Sequence, residues 1–134
     1  MVDLKFHHIG IATSKKEGTV DFYEKIGFQS SGPLVDVKQE AEIVFLRKNE
    51  HPLIELVIPI SKKSPVANII KKGASLYHIC YEVNNLEDSL KYFRASKFAI
   101  IVEPVEAIAF NNRKIAFVYG EQAGLIELLQ STYI

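Results

Sequence analysis

The sequence has a single cysteine, no excess of charge of either sign and no long apolar run. Cys80 cannot form a disulfide within the chain, which fits a reducing compartment. Sixteen basic and sixteen acidic residues cancel, so electrostatics gives no general basis for binding nucleic acid. No apolar run approaches membrane-spanning length, and no basic segment followed by an apolar stretch opens the chain. We therefore expect a cytoplasmic globular protein without nucleic-acid or membrane partners.

The sequence contains an internal repeat. His78-Ile79 repeats His8-Ile9 after 70 residues. The segment Leu-Ile-Glu-Leu occurs around Glu55 and again, 72 residues later, around Glu127. A half of about 65 residues would be marginal as an independent domain, so the two copies are expected to share a core.

We predict a single domain over residues 1–134, the length of one ordinary domain. Module 1 covers about residues 1–60 and module 2 about residues 76–134. A linker helix lies between them, within residues 61–75. Ser64-Pro65 is a typical N-cap and first-turn pair for this helix, which is predicted to run through Ile70 with Gly73 beyond it.

Each module is predicted to run strand, helix, strand, strand, strand. In module 1, Thr13 or Ser14 caps the helix and Gly27 ends it. The apolar residues of this helix are Val20, Phe22, Tyr23 and Ile26. The predicted strands span residues 6–12, 28–37 (interrupted at Gly32-Pro33), 42–47 and 53–58.

In module 2, Asn84 or Asn85 is the predicted helix cap. The predicted strands span residues 76–83, 98–102 (closed by Pro104), 114–119 and 125–130. Residues 103–112 show no clear period and are predicted to form a loop, a kind of segment that is often functional.

One histidine and one glutamate recur in each module: His8 with Glu55, and His78 with Glu127. Taken singly, a histidine in a strand is usually a surface or hydrogen-bonded core residue. A glutamate among apolar residues usually marks the solvated face of a strand. Repetition at matching places favours a shared role, since two imidazoles and two carboxylates form a mixed shell suited to a divalent transition metal. Gly10 leaves room for a ligand beside His8 on the same strand face.

Other chemically active residues are predicted to be ordinary. His7 should point away from the face of His8 and is interpreted as structural, and His51 lies in a turn that should be exposed. Cys80 has the alternation of His78, but the sequence shows no base for a catalytic thiol. The pairs Lys62-Lys63 and Lys71-Lys72 are predicted to be solvated, with contact to a phosphate-bearing carrier as the alternative.

Four segments resemble the vicinal oxygen chelate superfamily, which includes glyoxalase I, methylmalonyl-CoA epimerase, extradiol dioxygenases and antibiotic-resistance proteins. The segments are His8-Ile9-Gly10-Ile11-Ala12, Asp21-Phe22-Tyr23, Tyr77-His78-Ile79-Cys80-Tyr81-Glu82-Val83 and Gly124-Leu125-Ile126-Glu127-Leu128. The resemblance implies an α+β fold in which two βαβββ modules form a cupped, mostly antiparallel sheet around a metal. Among members, the chain looks most like methylmalonyl-CoA epimerase. The metal positions of the family fall on His8, Glu55, His78 and Glu127.

The resemblance implies a metal-dependent isomerase that moves a proton next to a carbonyl. A divalent metal (nickel, cobalt, manganese or zinc) would bind substrate oxygens and stabilise the enolate. Glu127 could loosen from the metal and act as one base, and Glu42 aligns with a carboxylate proposed as the other. The implied substrate is a small molecule such as a CoA thioester, and a homodimer is expected.

Two alternatives remain open. A lactoylglutathione lyase like glyoxalase I would use the same ligands on a glutathione adduct, but Ala12 stands where glutathione-binding members carry arginine. A non-enzymatic binding or resistance protein is the second, although such members often lose the metal ligands. The segment 107–114 is bulkier and more basic than its counterpart in epimerases, and this departure bears on the carrier of the substrate.

Overall fold

The computed structural model describes residues 2–68, 70 and 74–132. It divides into two compact units: His8–Tyr77, and Met1–His7 together with His78–Ile134. The order strand, helix, strand, strand, strand occurs twice along the chain, so the predicted α+β class with two βαβββ modules is confirmed. The predicted bounds of the domain and its modules stay a prediction. Among the described helices, none is long and apolar enough to cross a membrane.

Module 1 places its strands in the order β2-β3-β4-β1. Its elements are β1 (Leu4–Ala12), α1 (Lys16–Lys25), β2 (Gln29–Asp36), β3 (Ala41–Arg47) and β4 (Ile54–Pro59). β1 and β4 are parallel, whereas β2, β3 and β4 are antiparallel to their neighbours in sequence. A parallel pair between the first and last strands requires a long connection, which α1 and the β2–β3 hairpin supply.

Module 2 repeats this order as β5-β8-β7-β6. Its elements are β5 (Ser75–Val83), α2 (Leu86–Ala95), β6 (Ala99–Ala107), β7 (Arg113–Gly120) and β8 (Gly124–Gln130). β5 and β8 are parallel, and β6, β7 and β8 are antiparallel. The repeat read from the sequence is therefore a repeat of topology and strand register.

The two helices contribute unequally to the cores. Leu86, Leu90 and Phe93 of α2 are buried in the core of module 2, and burial of each such side chain contributes roughly 1.5–3 kcal/mol. Helix α1 buries no residue completely. Its Val20 and Tyr23 pack against the module 1 core of Phe28, Val44, Leu46, Ile54, Leu56 and Ile58. Phe22 and Ile26 point to another side of the helix and are 56% and 45% exposed.

The predicted cap of the second helix is confirmed, whereas the predicted cap of the first helix, Thr13 or Ser14, is wrong. The Asn85 side chain accepts a hydrogen bond from the Asp88 N–H at 3.0 Å, an ordinary N-cap. Helix α1 begins at Lys16, later than predicted, and its N-cap residue is Lys15. The Thr13 hydroxyl accepts from the Lys15 N–H at 3.0 Å and shares a 2.9 Å hydrogen bond with Thr19. Thr13 therefore fixes the entry to α1 from two residues before the cap.

The prediction of a loop over residues 103–112 is wrong. Strand β6 continues through Pro104 to Ala107, and a 3₁₀ helix follows at Ile108–Phe110. The alternation was hidden because the β6–β7 register shifts twice, between Ile100 and Val102 and between Val102 and Val105. Proline is tolerated because β6 is the outermost strand of its module and needs no donor on that edge.

The linker helix is shorter than predicted. A 3₁₀ helix covers Pro65–Asn68, and Ile70 is not helical. The hydroxyl of Ser64 accepts from the Val66 N–H at 3.3 Å and donates to the Gln39 carbonyl at 2.9 Å. This agrees with Ser64 as the residue that starts the helix. Gly73 and the Lys71-Lys72 pair lie outside the described residues, and Lys62 and Lys63 are exposed.

Candidate functional site

The first His–Glu pair is built by the parallel strands of module 1. Gly10 of β1 is opposite Glu55 of β4, so His8, two residues before Gly10, lies on the face that carries the carboxylate. His8 Nε2 is 3.6 Å from Glu55 Oε1. The two residues are 0% and 5% exposed. A carboxylate this deeply buried is costly unless a donor or a cation compensates it.

The second pair is built in the same way in module 2. Cys80 of β5 is opposite Glu127 of β8, and His78 lies two residues before Cys80. His78 Nε2 is 3.1 Å from Glu127 Oε1, and both residues are 3% exposed. The repeat therefore reproduces the same constellation at the same register: a buried imidazole beside a buried carboxylate.

A phenylalanine accompanies each pair. Phe45 is directly opposite Glu55 across the β3–β4 ladder, and Phe117 is directly opposite Glu127 across the β7–β8 ladder. In module 2 the Phe117 ring meets the His78 imidazole edge-on, with 5.3 Å between ring centroids and an interplanar angle of 87°. The sequence repeats these phenylalanines at an interval of 72 residues, but only strand pairing shows that they adjoin the candidate ligands.

The donor chemistry of both pairs fits a divalent metal. Each pair offers one imidazole nitrogen and one carboxylate oxygen, which zinc, nickel, cobalt and manganese accept. Four donors are the usual minimum for a closed zinc shell, so one pair alone supplies half of a set. The structure brings His8 to Glu55 and His78 to Glu127 as the repeat requires.

Glu42 does not share the strand face of Glu55. The β3–β4 ladder places Glu42 opposite Ile58 and Val44 opposite Leu56, on the face that packs under α1. Glu42 Oε1 is 3.4 Å from Lys16 Nζ at the start of that helix. Strand pairing therefore places Glu42 on the α1 side of the sheet, which argues against its predicted role as a base beside Glu55.

The other histidines and the cysteine that the sequence singled out lie in different surroundings. His51 is exposed, as predicted, with Nδ1 2.9 Å from the Asn49 carbonyl oxygen. Cys80 is completely buried and shares the face of His78. A ring nitrogen of His7 lies within 4.8 Å of the Cys80 sulfur, and the His7 ring meets Phe110 edge-on at 5.4 Å. The expectation that Cys80 has no base nearby thus overlooked a histidine from another strand.

Sequence reasoning also missed an ion pair in module 2. Arg113, in the basic segment 107–114, pairs through Nη2 with Oε2 of Glu82. Its Nε also donates to the main-chain oxygen of Gln130 at 2.9 Å. These two residues are 31 positions apart in the chain, and they meet because β5 and β7 flank the same strand, β8.

A family model confirms the class of protein that this topology and these pairs define. The model described as Glyoxalase/Bleomycin resistance protein/Dioxygenase superfamily matches residues 7–117. The chain belongs to this superfamily, as its resemblance to the vicinal oxygen chelate proteins predicted. The match spans both histidines and Glu55, and it includes the phenylalanines of both modules.

Within the superfamily, the chain is similar to methylmalonyl-CoA epimerases. It is 31% identical over 129 residues to the mitochondrial methylmalonyl-CoA epimerase of Dictyostelium discoideum, covering 92% of this chain and 76% of the relative. The human mitochondrial enzyme is 26% identical over 132 residues, with 95% and 74% covered. Methylmalonyl-CoA epimerase of Streptomyces coelicolor, solved with 2-nitronate-propionyl-CoA, superposes with a TM-score of 0.83. That structure is 22% identical, with 97% and 99% of the chains covered, and supports the fold alone.

Proposed function

We propose that this protein is a metal-dependent epimerase that moves a proton on the carbon next to a thioester carbonyl, with methylmalonyl-CoA or a close analogue as substrate. The observation that carries the proposal is the duplicated pair of buried imidazole and carboxylate, His8 with Glu55 and His78 with Glu127. A protein with only structural needs would not be expected to bury two glutamates beside two histidines on apolar strands.

We propose that both His–Glu pairs bind the same metal ion. Each pair supplies two donors, and a stable mixed shell needs about four. Metal content of the purified protein separates the possibilities: a shared centre takes up one metal ion per chain, whereas two independent pairs take up two. A chain that takes up no divalent metal and has ordinary stability would favour the binding-protein alternative instead.

The proposal assigns the proton transfer to the carboxylates of the pairs. When bound, a divalent metal would supply Lewis-acid stabilisation of the enolate oxygen. Glu127 Oε1, beside His78, is the candidate to take the α-proton, and Glu55 is the counterpart in module 1 that can return one. Glu55 replaces Glu42 in this role because Glu42 lies on the α1 side of its sheet. Two carboxylates of equivalent environment suit a reaction whose forward and reverse directions are alike.

The substrate class rests on similarity to enzymes that are named for methylmalonyl-CoA. Ala12 is completely buried, with no arginine at this place to hold a glutathione carboxylate. We therefore favour a CoA thioester over a glutathione adduct.

The deciding experiment compares two substrates after loading with nickel, cobalt, manganese or zinc. Methylmalonyl-CoA should exchange its α-proton in deuterated water and lose its stereochemical purity, whereas the hemithioacetal of glutathione and methylglyoxal should not turn over. Turnover of the hemithioacetal alone would identify a lactoylglutathione lyase and overturn the proposal.

A further inference from the structure

The duplicated scaffold differs between its modules at two places on the faces that carry the His–Glu pairs. Four residues beyond the histidine, module 1 has Ala12 and module 2 has Glu82. Four residues before the phenylalanine, module 1 has Ala41 and module 2 has Arg113. Both alanines are completely buried, whereas Glu82 and Arg113 are partly exposed. Module 1 therefore closes this end of the face with small side chains, and module 2 places an ion pair there.

Strand register fixes the position of this ion pair. Glu82 is opposite Leu129, and Leu129 is opposite Ile115, two residues beyond Arg113 on β7. The Arg113 side chain thus reaches across β8, where its Nε donates to the Gln130 main-chain oxygen, to Glu82 on β5, and both residues lie on the strand face of His78 and Glu127. The side chains of Arg113 and Glu82 are 21% and 18% exposed, so solvent and ligands can reach them.

The contacts of Arg113 hold its guanidinium in place but use only some of its N–H donors. A guanidinium carries five N–H donors in a planar fork. The ion pair with Glu82 and the hydrogen bond to the Gln130 carbonyl account for two of them. An arginine fixed in this way has lost most of its side-chain freedom before a ligand arrives, which favours binding of an oxyanion.

We propose that Arg113 is a specificity residue that binds an anionic group of the substrate remote from the reacting carbonyl; this inference rests on the proposed function. Glu82 lies four residues beyond His78 on β5, a separation of about 13 Å along a strand. A carboxylate on the α-carbon would lie next to the carbonyl. The group that reaches Arg113 is therefore a phosphate of the thioester carrier. The Glu82 carboxylate holds the Arg113 guanidinium in place and also competes with the phosphate for it.

Because Glu82 and the phosphate compete for Arg113, substitutions of the two residues distinguish an anion-binding arginine from an ion pair that only stabilises the fold. If the pair only stabilises the fold, Arg113→Gln and Glu82→Gln should have similar small effects on stability and none on ligand binding. If Arg113 binds a phosphate, the two substitutions should change affinity in opposite directions. Arg113→Gln removes the anion donor, whereas Glu82→Gln removes a carboxylate that repels the anion and occupies the guanidinium.

The experiment is calorimetric titration of the metal-loaded protein with coenzyme A, with pantetheine, which lacks the phosphates, and with malonate. Arg113→Gln should weaken coenzyme A binding by about 10- to 100-fold, the loss expected for a charged hydrogen bond. It should leave pantetheine unchanged. Glu82→Gln should strengthen coenzyme A binding, and Arg113→Lys should fall between wild type and Arg113→Gln. Arg94→Gln, which removes the exposed Arg94–Glu103 pair, is the matched control and should change nothing.

The outcomes separate this inference from the proposed function. Arg113-dependent binding of coenzyme A in a protein that does not epimerise methylmalonyl-CoA would support the inference and overturn the proposed reaction. Epimerisation with a KM and a coenzyme A affinity unaffected by Arg113→Gln would overturn the inference alone. Weaker binding of malonate but not of coenzyme A in Arg113→Gln would assign the anion to the acyl group and overturn the carrier assignment.

Discussion

Phe117 lies directly across the β7–β8 ladder from Glu127, and its ring meets the His78 imidazole edge-on at 5.3 Å. Residues directly opposite each other in a sheet have their side chains on one face in contact distance. One aromatic side chain therefore adjoins both members of a His–Glu pair. The equivalent relationship in module 1 joins Phe45 to Glu55. In both modules, an apolar ring limits the positions that the candidate ligands can adopt.

We predict that Phe117→Leu lowers metal affinity more than it lowers stability. Leucine keeps the site apolar but removes the ring edge that orients His78, and loss of a side chain that orients a metal ligand typically costs about 10- to 100-fold in affinity. Competition with a chelator measures the affinity, and thermal unfolding of the metal-free protein measures the stability. Ile115→Val shortens a neighbouring buried side chain of the same strand and serves as the control. Equal metal affinity in Phe117→Leu and Ile115→Val would show that Phe117 only fills space.

The candidate ligands themselves give a second prediction. Glu127→Gln keeps the shape of the side chain and removes its charge, so metal affinity should fall by more than the roughly 100-fold that loss of an outer partner can cost. Metal at about 100 times its dissociation constant stabilises a protein by about 2.7 kcal/mol, so the wild-type melting temperature should rise with added metal. The rise should disappear in Glu127→Gln.

Glu121→Gln is the matched control for this variant, because Glu121 is exposed in the turn between β7 and β8. It should behave as wild type in the metal titration. A metal-dependent rise in melting temperature that survives in Glu127→Gln would remove Glu127 from the ligand set.

The sequence predicted those parts of the fold that depend on local pattern. Gly27 ends the first helix region, Asn85 caps the second helix, and the His–Glu repeat marks strands that pair in the same register in both modules. The edge strand β6 was missed in part because its register shifts break the alternation on which strand prediction depends. The pattern of residues 103–107 therefore gave no period to follow.

The face of Glu42 could not be read from strand β3 alone. Four consecutive residues of β3 are buried, Ile43, Val44, Phe45 and Leu46, so both faces of the strand are apolar. Alternation then cannot say which face carries the site. The pairing of Phe45 with Glu55 decides it, and that is a property of the hairpin register. The Arg113–Glu82 pair was missed for a similar reason, since it needs the strand order β5-β8-β7.

A third prediction concerns the helix cap of module 2. Asn85→Ala should lower the free energy of unfolding by about 1 kcal/mol, because the Asp88 N–H loses the side-chain oxygen that accepts its hydrogen bond. Denaturant unfolding measures the change. Asn84→Ala, at the exposed preceding residue, should change the free energy by less than about 0.5 kcal/mol. Similar losses in both variants would mean that the cap of α2 is not the origin of the effect.

The fourth prediction separates the carboxylate of Glu42 from those of the His–Glu pairs. Glu42→Gln should retain metal and α-proton exchange with methylmalonyl-CoA, because Glu42 lies on the α1 side of its sheet and pairs with Lys16. Its side chain is 28% exposed, so loss of the ion pair should change stability by no more than about 1 kcal/mol. Exchange in deuterated water, followed by NMR, should be lost in Glu127→Gln measured in parallel. Loss of exchange in Glu42→Gln with full metal occupancy would restore Glu42 as a base and would mean that the β3–β4 register differs in the working enzyme.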